Sequence, residues 1–197
     1  MPRVPDLVIC LAHRRWSSYY DRSQELMAQC ARERRVVFVE EPELVDDRDV
    51  PAIELAETRC GVVTLIPHMP ADLTLQEMER RQRRALDFIL AHYGCTNPVL
   101  WYYEPKALAY TDHIDAAAVV YDWVDEGPHP VPHLGRRAQQ LLDRADVVFT
   151  DTADHRQLVH HNVFPTVEAA TWAEMWTEMW AVVERAIDAR PLQSVAL

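Results

Sequence analysis

The sequence predicts an α/β domain: one parallel sheet with helices on both faces, finished by a long amphipathic helix at its C-terminal end. Three observations carry the prediction. Short β-branched runs alternate with helical stretches, the pattern written by βα units on a parallel sheet. The chain has 197 residues, enough to bury one sizeable core and short for two. Towards the end the alternation gives way to a single stripe of Trp, Met and aliphatic residues at helical spacing.

The strands expected are LVICLA at 7–12, VVFVE at 36–40, VVTLI at 62–66, VLWYY at 99–103, AVVYD at 118–122 and DVVFT at 146–150. Between them, SQELMAQCARER (23–34) and LQEMERRQRRALDFILAHY (75–93) space their apolar residues at three and four, so both are expected to be helices packed on the sheet. In the second, Leu75, Met78, Ala85, Leu86, Ile89 and Leu90 form the inward stripe and arginines the outward face. The segment EEPELVDDRDVP (40–51) is acidic and ends in proline, which predicts an exposed connection without an element of its own. After Asn162-Val163-Phe164-Pro165, one continuous helix is expected over 171–189, with Trp172, Trp176, Met179, Val183 and Ile187 on one face. That stripe is read as core packed on the sheet rather than as a partner face. The chain thus divides into a domain at 1–165, a helix at 166–190 that returns to it, and a tail at 191–197.

Composition removes several function classes. Thirty-one acidic side chains oppose 20 basic ones, a net charge of −11 with a single lysine, Lys106, so there is no basic stripe for nucleic acid. The four glycines, Gly61, Gly94, Gly127 and Gly135, stand too far apart for a dinucleotide fingerprint or a P-loop. No cofactor is implied. Cys10, Cys30, Cys60 and Cys95 show no C-x-x-C pair and read as reduced thiols, neither a disulfide frame nor a zinc site. His155, His160 and His161 are poorly spaced to share a helical face as ligands, and Asp122 with Asp125 lacks a histidine at ligand spacing, so no metal is expected. There is no G-x-S-x-G. The apolar run between Asp6 and His13 is too short for a signal peptide and no stretch approaches a membrane span, which predicts a cytoplasmic protein.

In an open parallel sheet, ligands collect at the carboxyl ends of the strands. The residues there are His13, Arg14, Arg15 and Trp16 after the first strand, Glu40 and Glu41 after the second, Glu104 after VLWYY, Asp122, Trp123, Asp125 and Glu126 around the end of AVVYD, and Asp151 after DVVFT. Aromatic and carboxylate side chains together suit a sugar, whose C–H face stacks on a ring while its hydroxyls hydrogen-bond acids and arginines. A crowded carboxylate also suits a general base, although helix capping and solvation are the commoner fates of such acids.

The order of DLVICLAHRRWSSYYDRSQELMAQCARERRVVFVEEP, LIPHMP, LWYYEPKALAY, VVYDWVDE, LLDRADVVFTDT and HNVFP resembles the N-terminal half of bacterial GT-B glycosyltransferases, the group associated with UDP-galactopyranose mutase-like proteins. Trp16, Arg22, Gln24 and Leu26 match one motif, with Ser23 and Glu25 replacing its proline and histidine. Trp101-Tyr102-Tyr103-Glu104-Pro105 and Tyr121-Asp122-Trp123-Val124-Asp125-Glu126 match two others. The resemblance implies a Rossmann-like domain that binds a glycan acceptor, with His13, Arg15, Trp16, Arg22, Gln24, Tyr103, Glu104, Trp123 and Glu126 at the substrate and Asp122 or Asp125 as base; Asp122 is favoured, because it ends a strand and is held more rigidly than residues further into the loop. At Phe164-Pro165 a full-length relative enters its donor domain, whereas here the match resumes at Thr171-Trp172-Ala173-Glu174-Met175-Trp176, the returning terminal helix.

Two function classes follow: half of a glycosyltransferase whose nucleotide sugar comes through a partner chain, and a non-catalytic module that binds a glycan or a transferase. A phosphoacceptor receiver domain fits the βα count but lacks the lysine after the last strand. Absence of a donor domain is expected to leave aromatic surface around Trp16, Tyr103 and Trp123, and with it a homo-oligomer or a transferase complex.

Overall fold

A computed structural model describes residues 5–12, 14–17, 21–46, 52–123, 135–150, 162–165 and 169–190. Among them nine strands form one sheet: β1 (Leu7–Leu11), β2 (Arg35–Val39), β3 (Glu43–Val45), β4 (Ile53–Glu57), β5 (Val62–Pro70), β6 (Val99–Tyr102), β7 (Ala118–Trp123), β8 (Val147–Thr150) and β9 (Val163–Pro165). Their order is β3-β5-β2-β1-β6-β7-β8-β9, with β4 also on β5, and every pairing is parallel except that of β4. The winding reverses between β1 and β6, which makes that junction the topological switch point of a doubly wound, Rossmann-like sheet.

The central strands are covered on both faces, so their side chains form unbroken apolar runs; all five residues of β1 are 0% exposed. One face carries α2 (Leu75–Tyr93), α3 (Leu108–Thr111) with the 3-10 turn Pro105–Ala107 that leads into it, and α4 (Arg136–Arg144). Its core gathers Leu65, Leu86, Ile89, Tyr102, Tyr121 and Leu141. The other face carries α1 (Arg22–Cys30) and α5 (Trp172–Ala189), packed on each other and on Trp101, Val120 and Phe149.

Three helix starts are written in the local sequence. Asp21 with Gln24, Thr74 with Glu77 and Thr171 with Glu174 each form a complete capping box, so α1, α2 and α5 all begin at a residue that satisfies one of their free N–H groups. Gly94, at φ 60°, ends α2 in the left-handed conformation that a side chain would strain. At the far end of α5, Arg190 pairs with Asp146 at 2.6 Å and donates to the Ala116 carbonyl, while Asp146 accepts from the Val119 amide at 2.7 Å. That end is thereby fixed to the amino ends of β7 and β8.

Several expectations need correction. The 40–51 segment is not free of structure: β3 lies within it, and β4 follows as an antiparallel strand that periodicity did not announce, because four of its five residues are exposed. Helix α1 stops at Cys30 instead of running to 34, where a turn returns the chain directly to β2. On α2, Leu75 is 72% exposed and Gln82 takes a place in the buried face. On α5, Trp172 is 37% exposed and Trp180, absent from the expected stripe, is buried with Trp176, Met179, Val183 and Ile187. The short β9 also went unpredicted; it adds to β8 in parallel. Among the described residues no helix is long and apolar enough to cross a membrane.

Candidate functional site

The loops after β1 and β6 diverge at the switch point, and the end of β7 lies beside them. There Asp122 is 1% exposed, yet carries a full set of partners. Arg22 from the first turn of α1 grips it in a bidentate pair, Nε to Oδ2 at 3.1 Å and Nη2 to Oδ1 at 3.1 Å. The Tyr103 hydroxyl donates to Oδ2 at 2.8 Å. Burial pushes the Asp122 carboxyl above its ordinary value, while the Arg22 charge and these hydrogen bonds pull against it. Burial, and then the Asp122 charge, push the Tyr103 phenol well up, so it stays a donor. The indole Nε1 of Trp101 lies close enough to help hold the carboxylate but makes no bond of proper geometry.

The same guanidinium reaches α5. Its Nη1 lies 3.4 Å from the Met175 sulfur and its Nη2 3.5 Å from that of Met179. One side chain thus ties α1, β7 and α5 together across 100 and 157 positions of sequence. A second group borders it. The Trp16 amide donates to Glu40 Oε1 at 3.1 Å, and Arg15 Nη1 lies 3.6 Å from Glu40 and 3.5 Å from Glu43. The Trp16 ring meets Phe38 edge-on at 5.0 Å. Glu40 is 5% exposed, and burial raises its carboxyl from the ordinary value despite Trp16 and Arg15. Arg14 pairs with Asp21 at 3.9 Å.

The sheet itself separates residues that looked like one edge in sequence. Trp16, Arg22, Tyr103 and Asp122 belong to the α1–α5 face, whereas Trp123 stacks on Tyr121 at 6.2 Å on the opposite face. Glu104 caps the 3-10 turn through the Lys106 amide at 2.9 Å. Gln24 is 0% exposed, and its amide oxygen receives the Asp21 N–H and the Ser23 hydroxyl. His13, Asp125, Glu126 and Asp151 lie outside the described residues. The aromatic surface expected around Trp16, Tyr103 and Trp123 is half-buried; the exposed large apolar side chains among the described residues are Leu44, Leu55, Leu75, Phe88 and Trp172. Sequence reasoning also missed Met175 and Met179 as partners of Arg22, since no local pattern links groups so far apart. The D-x-x-Q capping spacing, by contrast, was available to explain Gln24.

Among the described residues no group of three or more His, Cys, Asp or Glu is placed to hold a metal ion. A shallow cleft bounded by Leu90, Cys95, His113, Ile114 and Asp115 sits at the other end of the sheet, before β6 and β7 begin.

No protein-family model matches the chain, and neither does any curated protein. Solved structures do. A form of sucrose-phosphate synthase from Thermosynechococcus elongatus is similar with a TM-score of 0.53 and 13% identity, over 91% of this chain and 98% of that one. The synthase of the same organism in a longer form gives a TM-score of 0.55 and 13% identity, over 83% of this chain and 48% of that one. This chain therefore spans about half the length of that longer synthase. The catalytic domain of starch synthase IV from Arabidopsis thaliana gives 0.49 and 11%, over 93% and 50%. The likeness to the two sucrose-phosphate synthase structures establishes a GT-B-type Rossmann-like fold.

Proposed function

We propose that this chain is the acceptor-binding half of a GT-B glycosyltransferase, with a UDP-sugar held by a partner chain that closes over its strand-end edge. The observation that carries the reading is the convergence of Arg15, Trp16, Arg22 and Tyr103 on the switch point, with Asp122 behind them. The shared fold supports it. Here β9 ends at Pro165 and α5 begins at Trp172, so the last helix follows the last strand of the sheet directly.

In this reading Arg15, Tyr103, Trp16 and His13 bind the acceptor glycan, with Glu104 and Glu126 at its margin. Asp122 is a positioning residue: both its oxygens are engaged, and it holds Arg22 and the Tyr103 hydroxyl in place. Asp125, three residues further on, accepts the proton of the attacking hydroxyl as the new glycosidic bond forms and the nucleotide leaves with the old bond's electron pair. Gln24 is committed to the start of α1 and Trp123 to the opposite face, so neither touches the sugar. The engagement of Asp122 also favours the second reading, a glycan-binding module without turnover.

The test combines binding and transfer. Titration with a panel of neutral oligosaccharides should give binding that Arg15→Ala and Trp16→Ala abolish, measured well below the Tm of each variant, where both remain folded by circular dichroism. With a donor-binding chain added, Asp125→Asn should stop transfer and leave binding intact. Binding without transfer in the unmodified protein would select the module; no glycan binding at all would overturn both readings.

A further inference from the structure

Glu40 is a buried acid that the chemistry proposed above does not use. It follows the last residue of β2, where alternation turns it to the α1–α5 side: Val39 packs with Leu65 in the α2 core, whereas Phe38 packs in the opposite one. Both of its oxygens are committed to the loop that leaves β1. Oε1 accepts the Trp16 amide at 3.1 Å, and Oε2 lies 3.6 Å from Arg15 Nη1. The Trp16 ring closes edge-on over Phe38 at 5.0 Å. Backbone bonds bring the two segments together, since the Ala12 amide donates to the Val39 carbonyl and the Glu40 amide to that of Leu65. One carboxylate beside the switch point thus holds the backbone of one loop residue and the charge of the next.

The neighbouring charges cannot replace it. Glu43 on β3 also meets Arg15, at 3.5 Å, but it is 53% exposed, and an ion pair so open to water orders little. Glu54 on β4 acts on Glu40 only as a repelling charge and is itself paired with His68 of β5 at 3.7 Å. Along the loop, Arg14 is paired with Asp21. Among the described residues Arg15 is therefore the cation that Glu40 meets. Burial outweighs the help of Trp16 and Arg15 and raises the carboxyl, so ionising it opposes folding. A glutamine of the same shape would keep the amide contact; what the charge adds is a fixed Arg15.

We infer that Glu40 is the positioning residue of the acceptor site: ionised, it sets Arg15 and Trp16 in the orientation in which they meet the glycan, and protonation releases Arg15. This role rests on the reading of the strand-end edge as a glycan site. It makes affinity grow as pH rises, while the contribution of the same group to folding stability declines. A merely structural acid would move both in one direction.

The test uses the full chain labelled with 5-fluorotryptophan, with the Trp16 fluorine resonance assigned through Trp16→Phe. Spectra and titrations with the neutral oligosaccharides are taken from about pH 4 to about pH 8, a span that brackets ordinary and raised carboxyl values. The Trp16 resonance should shift as Glu40 ionises, and glycan affinity should rise about tenfold over the same window. Glu40→Gln should abolish both changes and hold affinity at the low-pH level, while remaining folded by circular dichroism. Glu43→Gln, Glu54→Gln and His68→Gln, which remove the neighbouring titratable groups one at a time, should leave both changes in place. Unchanged affinity in Glu40→Gln, or a Trp16 resonance that titrates there as before, would overturn the proposal and leave the glycan site standing. Absence of glycan binding by the parent at every pH would remove the site itself, and this role with it, even where the Trp16 resonance still follows Glu40.

Discussion

Asp122 and Arg22 form a buried pair whose members cannot be removed singly at low cost. Asp122→Asn keeps the shape but leaves the Arg22 guanidinium, 15% exposed, against a neutral partner. The expected loss is about 3 kcal/mol, seen as a lower Tm. Arg22→Met should cost a similar amount, and the two together clearly less than the sum, because the second change removes a charge already orphaned by the first. Additive losses would show that the pair is not coupled. Glu40 gives a prediction in pH. Its carboxyl titrates above the ordinary value of 4.5 in the folded chain, so from there up to its raised value the folded state binds more protons than the unfolded one. This contribution to stability is therefore complete at lower pH and is lost as pH rises through the folded value. Tm measured against pH should show the margin of the parent over Glu40→Gln shrinking across that window; a margin independent of pH would refute the assignment.

At the scale of elements, α5 behaves as part of the core. Trp176 stands 5.7 Å from Trp101 and 5.1 Å from Trp180, on which the Arg34 guanidinium stacks at 4.1 Å. Trp176→Ala should cost about 3–5 kcal/mol, the usual range for a buried aromatic. Trp172→Ala, at the exposed start of the helix, should cost about 0.5 kcal/mol or less. Equal losses by chemical denaturation would place the two rings in similar surroundings, against the structure. The contrast shows what the sequence could reveal. The 3.6-residue period identified α5 and α2 because tryptophans and aliphatics repeat along them, and apolar runs identified the six inner strands because both sheet faces are covered. The period alone could not say where the buried stripe ends, so Trp172 was included and Trp180 omitted. Strand β4 was invisible for the opposite reason: Glu54-Leu55-Ala56-Glu57 is exposed, and an edge strand held by backbone bonds to β5 leaves no apolar signature.

For the whole molecule, the strand-end residues were legible as a set because the topology of a parallel sheet gathers them, but which sheet face each one serves was not. That depends on register, and it separates Trp123 from Asp122, its neighbour in sequence. The contact of Arg22 with Asp122 depends on folding across 100 positions and has no local trace. The proposed division of labour yields one more prediction. With no glycine-rich loop to cradle phosphates, the chain alone should show little or no heat on titration with UDP-sugars. A micromolar dissociation constant would mean that it holds its own donor.

The placement of β1 has a consequence in time. Its five residues are shut off from solvent, with β2 on one side, β6 on the other and a helical layer on each face. No partial opening frees its amide protons without first stripping away a neighbouring strand. In deuterated water they should be the last to exchange, at a rate set by unfolding of the entire domain, whereas the amides of β4 should exchange through local fraying. The slowest protons of Leu7–Leu11 are thus a built-in clock for global opening.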